Sequence, residues 1–244
     1  MMKRIRYTLS AATVLLLAAG AGWGYMQLME VRLADVEIRG SRWSDASELE
    51  QLLMVDTTDF MYHLDPVLLA DRVRRHEWVA DADVARLPSG RLVVDVVERE
   101  PVALIVNAHG LPEHYVDRNG FRMPIPEGAT YDVPIVRGLR DAFHPMSPLG
   151  HDALRSLLRE LPVLSADLDE SISEIIVDGP DVSLWMVPAA AGQAIQVSLG
   201  QHDMSRRLDV LTAFIQQESL HPPGVQVRTV DLRFENQIVV KKRE

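Results

Sequence analysis

The chain has 244 residues, 47% of them hydrophobic and 25% charged, with no cysteine and a formal charge of −10. Such a chain folds and buries a core in one large or two small domains, and its acidity repels phosphate backbones, which excludes a typical nucleic-acid binder. Without cysteine there is no disulfide, thiolate nucleophile or zinc-thiolate site; with lysine only at positions 3, 241 and 242, the folded part holds no Schiff-base or P-loop lysine.

Lys3, Arg4 and Arg6 precede every acid, and no charge occurs from residue 7 through residue 29. About 20 apolar residues span a hydrocarbon core of roughly 30 Å. A transmembrane helix is therefore expected over residues 8–29, behind a cytoplasmic tail of residues 1–7. The positive-inside rule then puts the remainder, which carries −13 against +3 in the first 29 residues, outside the cytoplasm. A cleaved signal peptide is the rival, with Ala19-Gly20-Ala21 as its small-residue site. The apolar run continues past that site through Trp23, Tyr25, Met26 and Leu28, which favours a retained anchor. Gly20 and Gly24 have GxxxG spacing, as expected from composition in a segment this rich in Gly and Ala.

After the anchor, Val36 and Ile38 alternate with Glu37 and Arg39, the period-two pattern of a strand, which Gly40 ends. Ser44 or Asp45 caps a helix with Glu48 in its first turn and Leu49, Leu52 and Leu53 on one face. Asp65-Pro66 starts a second helix, with Leu69 and Val73 one turn apart. Ala82 and Val84 lead into the turn cluster Pro88-Ser89-Gly90, and Leu92, Val94 and Val96 then alternate with Val93, Asp95 and Val97. The order is β-α-α-β-β from about residue 34 to 101. Pro101, which has no N–H to donate and biases Glu100 toward an extended conformation, ends the last strand.

Residues 103–241 read as strands interrupted by two helices, with the boundary near residues 101–103. Asn119-Gly120 is a hairpin signal, since both residues tolerate positive φ. Leu154, Leu157, Leu158 and Leu161 form one helical stripe, and Met204, Leu208, Leu211 and Ile215 another. "SEIIVDGPDVSLWMVP", "AIQVSLG", "VQVRTVDLRF" and "QIVVKK" supply strands. There is no sequence repeat or low-complexity tract.

The chain carries no sign of catalysis. Its eight histidines lack metal-ligand spacing, there is no GxSxG, no phosphate-cradling loop and no basic aromatic patch. No cofactor, metal or enzymatic activity is expected, and the carboxylates read as a solvated acidic face. What remains is exposed strand edges, which invite another chain's strand unless guarded. Lys241, Lys242 and Arg243 fit either an edge guard or a charged clamp beside a docking edge.

The stretches "VEIRG", "LDPVLLADRVRRHEWVADADVARLPSGRLVVDVVEREPVAL", "YVDRNG", "VSLG", "RRLDVL" and "VDLRF", behind one basic-flanked span, resemble the FtsQ/DivIB family of bacterial cell-division proteins, in order and over nearly the whole chain. The resemblance implies an α+β architecture: an N-terminal transmembrane helix, a POTRA domain of β-α-α-β-β order over residues 34–102, and a larger β-rich domain over 103–241. It implies a non-enzymatic scaffold at the division septum that binds FtsB and FtsL and connects early and late divisome proteins, single-pass in the inner membrane with its bulk extracytoplasmic. By the same likeness, the segment Glu98-Arg99-Glu100-Pro101-Val102-Ala103 is the handover between domains, its acids facing water. Asp81, Val84 and Arg86 match the family's recruitment surface on the POTRA strand before the turn. Arg233 and Phe234, followed by Asn236, Gln237, Ile238, Val239, Val240 and Lys241, match the edge that receives a strand of FtsB. Glu77 before Trp78, the early Pro88, Phe234 in place of a tyrosine and Gln237 in place of a glycine depart from the family pattern. A POTRA-type chaperone or assembly module of the cell envelope is the alternative.

Overall fold

The computed structural model describes residues 2–126, 128, 130–187, 193–218, 227–235 and 237–242, with side chains from residue 13 onward. Two compact units divide it, Met1–Glu98 and Arg99–Glu244.

The first unit begins with α1 (Met2–Met29), 28 residues long and about 42 Å at ~1.5 Å per residue. Val14, Leu15, Leu16, Leu17 and Trp23 are all exposed on it. Among the described residues no helix is long and apolar enough to cross a membrane. The span expected over 8–29 is thus met in its helical conformation alone, and the side chains of residues 8–12 lie outside the described ones.

Beyond α1 come β1 (Asp35–Arg39), α2 (Ala46–Leu53), a 3-10 turn (Met61–His63), α3 (Pro66–Val73), β2 (Val79–Arg86) and β3 (Arg91–Glu98). The expected caps form: Asp45 accepts the N–H of Ser47 at 2.8 Å, and Asp65 that of Val67 at 2.9 Å ahead of Pro66. Each satisfies an N–H that has no partner within the helix. The sheet runs β1-β3-β2, with β1 parallel and β2 antiparallel to β3. Because side chains alternate across a strand, Leu92, Val94 and Val96 fall on one face. There they meet Leu49 and Leu53 of α2 and Leu69 and Val73 of α3 in a single core. Gly40 ends β1 at φ +82°, and a Cβ there would lie 2.1 Å from the carbonyl oxygen of Val96, so no other residue fits.

Glu98, at the end of β3, closes this unit. Its carboxylate accepts the N–H groups of Arg42, Trp43 and Ser44 at 2.9, 2.9 and 2.8 Å and the Ser44 hydroxyl at 2.5 Å. Successive N–H groups converging on one anion form a nest. The acids about Pro101 are therefore not all solvated, as the family likeness suggested: Glu100 is exposed, while Glu98 is half-buried and fully engaged. Pro101 opens the next strand rather than only stopping the last one.

The second unit contains β4 (Pro101–Val106), β5 (Pro112–Asp117), β6 (Arg122–Met123), β7 (Ile135–Arg137), α4 (Asp152–Glu160), a 3-10 turn (Leu161–Val163), α5 (Ala166–Asp169), β8 (Ile172–Asp178), β9 (Asp181–Met186), β10 (Ile195–Gly200), α6 (Met204–Glu218), β11 (Val227–Asp231) and β12 (Val239–Lys242). The two long stripes are helices, as expected, and the single-turn α5 is added to them. One nine-stranded sheet runs β12-β11-β10-β9-β8-β7-β4-β5-β6. Leu154, Leu157 and Leu158 of α4 and Met204, Leu208 and Leu211 of α6 share a core with Ile175, Leu184, Val197 and Val230 of the sheet. The element order β-α-α-β-β recurs in β7, α4, α5, β8 and β9. Here, however, the first strand lies beside the second rather than the third.

The hairpin between β5 and β6 forms, but not by a two-residue Asn-Gly turn. Only Gly120 has positive φ, and Asp117 Oδ1 accepts the N–H groups of Asn119 and Phe121 at 2.9 and 2.8 Å. The other oxygen of Asp117 receives Arg99 Nη1 at 2.8 Å, and the Arg99 guanidinium lies 4.1 Å from the centre of the Phe121 ring. Adjacent residues 98 and 99 thus each close a loop of their own unit.

Burial raises the Glu98 carboxyl, but the hydrogen bonds from the Ser44 hydroxyl and from the three N–H groups outweigh it and hold the group below its ordinary value of 4.5. Removing the charge with Glu98→Gln is expected to cost the first unit about 2 kcal/mol in urea unfolding at pH 7. A folded carboxyl that titrates below the unfolded one contributes fully above about pH 5 and loses that contribution as pH falls through the folded value. Parent and variant should therefore converge in strongly acidic buffer.

Candidate functional site

Two strand rims carry the residues singled out by sequence. The first is β12, the last strand of the nine-stranded sheet, paired on one side with β11. Val239 faces Asp231, Val240 faces Val230 and Lys241 faces Thr229. Leu232 donates its N–H to Ser198 O of β10 at 3.0 Å. Since the N–H and C=O groups of successive residues point to opposite sides of a strand, Asp231 and Thr229 point toward β12, and their partners Val239 and Lys241 point back. The backbone of Val240 consequently faces outward, away from β11. Among the described residues no strand pairs with that rim.

Arg233 and Phe234 do not continue β11, which ends at Asp231, and Gln237 and Ile238 precede β12. Asn236 lies outside the described residues. The chain leaves the sheet at Arg233 because that side chain folds back onto Asp231, with Nε 2.9 Å from Oδ1 and Nη2 2.7 Å from Oδ2. Asp181 lies 3.5 Å from Arg233 Nη1. The Arg233 hydrogen bonds hold the Asp231 carboxyl below its ordinary range against the opposing pull of burial. The turn that follows displays Phe234, Ile238 and Val239 at 54%, 40% and 40% exposure. Phe234 and Ile238 help line a pocket of about 330 Å³, together with Arg206, Arg207 and Val210 of α6, Leu232, Arg233 and the acids Asp203 and Glu235. The three arginines about this pocket come from α6 and from the turn, and Arg207 also donates to Leu199 O.

The second rim is β2, an edge of the three-stranded sheet. Leu87 donates to Arg91 O across the turn, so Ala85 and Asp83 point toward β3, while Ala82, Val84 and Arg86 present their backbone groups outward. Both outward backbone groups of Ala82 are already occupied. Its carbonyl accepts Arg74 Nη2 at 2.7 Å, and its N–H donates to Asp81 Oδ1 at 2.9 Å. Arg74 Nε also reaches Asp81 Oδ1 at 2.7 Å, and these bonds hold the Asp81 carboxyl below its ordinary range. Val84 packs partly into the core. Arg86 Nη1 donates to the carbonyls of Tyr62 and Leu64 at 3.2 and 2.8 Å, with its guanidinium 5.5 Å from the Tyr62 ring centre.

Of the sequence-selected residues that are described, Asp81, Val84 and Arg86 lie on β2, Val239, Val240 and Lys241 on β12, and Arg233, Phe234, Gln237 and Ile238 between β11 and β12. Sequence reading missed Arg74, Asp231 and the α6 arginines. For α6 the signal was present in "RRLDVL", whereas nothing local pairs Arg74 with Asp81.

Residues 31–99 match the family model described as "POTRA domain, FtsQ-type", and residues 100–241 the one described as "FtsQ/DivIB, C-terminal related". The chain belongs to the FtsQ/DivIB family. It is similar to the cell division protein FtsQ of Rhodothermus marinus, 41% identical over 98% of this chain and 88% of that one. The FtsQ of Salinibacter ruber is 35% identical over 98% and 95% of the two chains, and that of Geotalea daltonii 28% identical over 99% and 88%. The part of the first unit that follows α1 is accordingly a POTRA domain, and the second unit is the larger β-rich domain of an FtsQ-type cell-division protein.

Arg86 has a structural task whatever else it does. Arg86→Met is expected to lower the unfolding free energy of the POTRA domain by about 2 kcal/mol, because two carbonyls lose a charged donor. The urea midpoint of the parent and variant proteins checks this.

Proposed function

We propose that this FtsQ-type chain is a non-catalytic scaffold of the division septum, anchored by α1 in the inner membrane, that offers the outer rim of β12 to a strand of FtsB with FtsL alongside. The observation that carries the reading is the rim itself: an end strand with the outward backbone of Val240 unpaired among the described residues, beside exposed Phe234, Ile238 and Val239. Strand addition supplies affinity through backbone bonds and selectivity through alternate side chains. Side chains of an added strand that lie on the same face as Ile238 and Val240 would reach the pocket, where Val210 and Leu232 offer apolar walls and Arg206 and Arg207 stand with Asp203 and Glu235. Lys241 and Lys242 then act as a clamp at the end of the added strand.

The anchor is supported by sequence across residues 7–29, where no charge occurs, and by the exposed Leu15, Leu16 and Leu17 of α1, which otherwise face water. Three cations ahead of it support a cytoplasmic N-terminus and an extracytoplasmic bulk. The POTRA residues Asp81, Val84 and Arg86 serve in this reading as a second, recruiting surface for another divisome protein.

Val240→Pro removes an outward donor while leaving the bonds between β11 and β12 in place, since proline is tolerated on the free side of an edge strand. Co-purification of the full-length protein with FtsB should fall about tenfold or more, with an unchanged melting temperature. Equal recovery of FtsB would overturn the strand-addition reading.

A further inference from the structure

The β2 rim offers less backbone than its eight residues suggest, and what it offers has a definite charge. Of the three outward-facing residues, Ala82 is closed by the Arg74–Asp81 pair, whose guanidinium and carboxylate take the places that the N–H and C=O of a neighbouring strand would fill. Val84 and Arg86 are left. On the solvent face beside them, Asp83 stands directly opposite Asp95 of β3. Like charges in directly opposed positions destabilise a sheet. Arg39, opposite Asp95 on the other side, gives its Nε and Nη2 to Glu37 at 2.8 Å. A cation delivered from the open side of β2 would relieve the Asp83–Asp95 repulsion.

We propose that residues 83–86 of β2 form a second strand-docking edge, selective for an extended segment that bears a Lys or Arg next to Asp83, and that the Arg74–Asp81 pair restricts the length of that edge. The proposal rests on the reading of β2 as a recruiting surface and adds to it the binding mode, the partner's charge and a built-in stop. Guarded edges keep a sheet from pairing indiscriminately. Here the guard covers one end and leaves two residues open, so a short basic segment fits and a long apolar one does not.

The test uses the full-length protein in detergent micelles, carrying Val240→Pro so that β12 does not contribute. The probes are two fluorescent peptides of alternating valine and threonine, one with a central lysine and the other with glutamate in its place. The lysine peptide should bind roughly three- to tenfold more tightly, and should slow amide hydrogen exchange at Val84 and Arg86. Asp83→Lys should reverse the preference between peptides. Arg74→Met, which frees the carbonyl of Ala82 to accept from the peptide, should strengthen binding of the lysine peptide. Equal binding of the two peptides, no binding of either, or protection that avoids Val84 and Arg86 would overturn the proposal. Failure of the β12 reading would leave all of these outcomes unaffected, because it is read from FtsB recovery alone.

Discussion

Every peptide group on the rim of an open sheet must find a donor or an acceptor, and the sheets of this protein meet that demand in different ways. At one end of the nine-stranded sheet, β6 is two residues long with both side chains buried, which leaves little rim at all. At the other end, β12 turns the backbone of Val240 outward with exposed apolar residues beside it. In the smaller sheet, β2 is filled at Ala82 by side chains that imitate a strand. A side-chain guard answers the local hydrogen-bond demand without extending the sheet.

The boundary between the two units follows the same logic with charge in place of backbone. Glu98 supplies the anion for the nest at residues 42–44, and Arg99 supplies the cation for Asp117, itself the organiser of the turn at residues 117–121. Both groups are substantially removed from water, so each is held by several directed bonds rather than by a single surface ion pair, which alone contributes little. Pro101 then opens β4, where its missing N–H falls at the first residue of a strand. The acids crowded around this proline are accordingly of two kinds: Glu98 is structural, and Glu100 faces solvent.

Local signals were the legible ones. Asp65-Pro66 and Asp45 cap helices because the groups they satisfy lie two residues away. The leucine stripes of α4 and α6 follow from a periodicity that needs no knowledge of the partner surface. What escaped sequence reading depends on distant partners. Asn119-Gly120 suggested a tight two-residue turn, but Asp117, already held by Arg99, draws the loop into a wider one. Arg233 and Phe234 looked like a continuation of β11 until the fork onto Asp231 and the proximity of Asp181 turned the chain aside. The sequence contains the strands but not their order, and β4 beside β7 or β2 at an edge is set by packing across the whole sheet. Which backbone groups face outward, and so which residues can receive a neighbour, follows only once that order is known.

The nest at residues 42–44 also fixes where the polypeptide can be divided. A POTRA fragment ending a single residue before Glu98 would keep every aliphatic side chain of its core and yet leave three amides with no anion to surround. A β-rich fragment beginning at Pro101 would likewise retain all of its strands while Asp117 faced inward with no countercharge. A cut through the peptide bond joining residues 98 and 99 keeps Glu98 with its amides and Arg99 with Asp117.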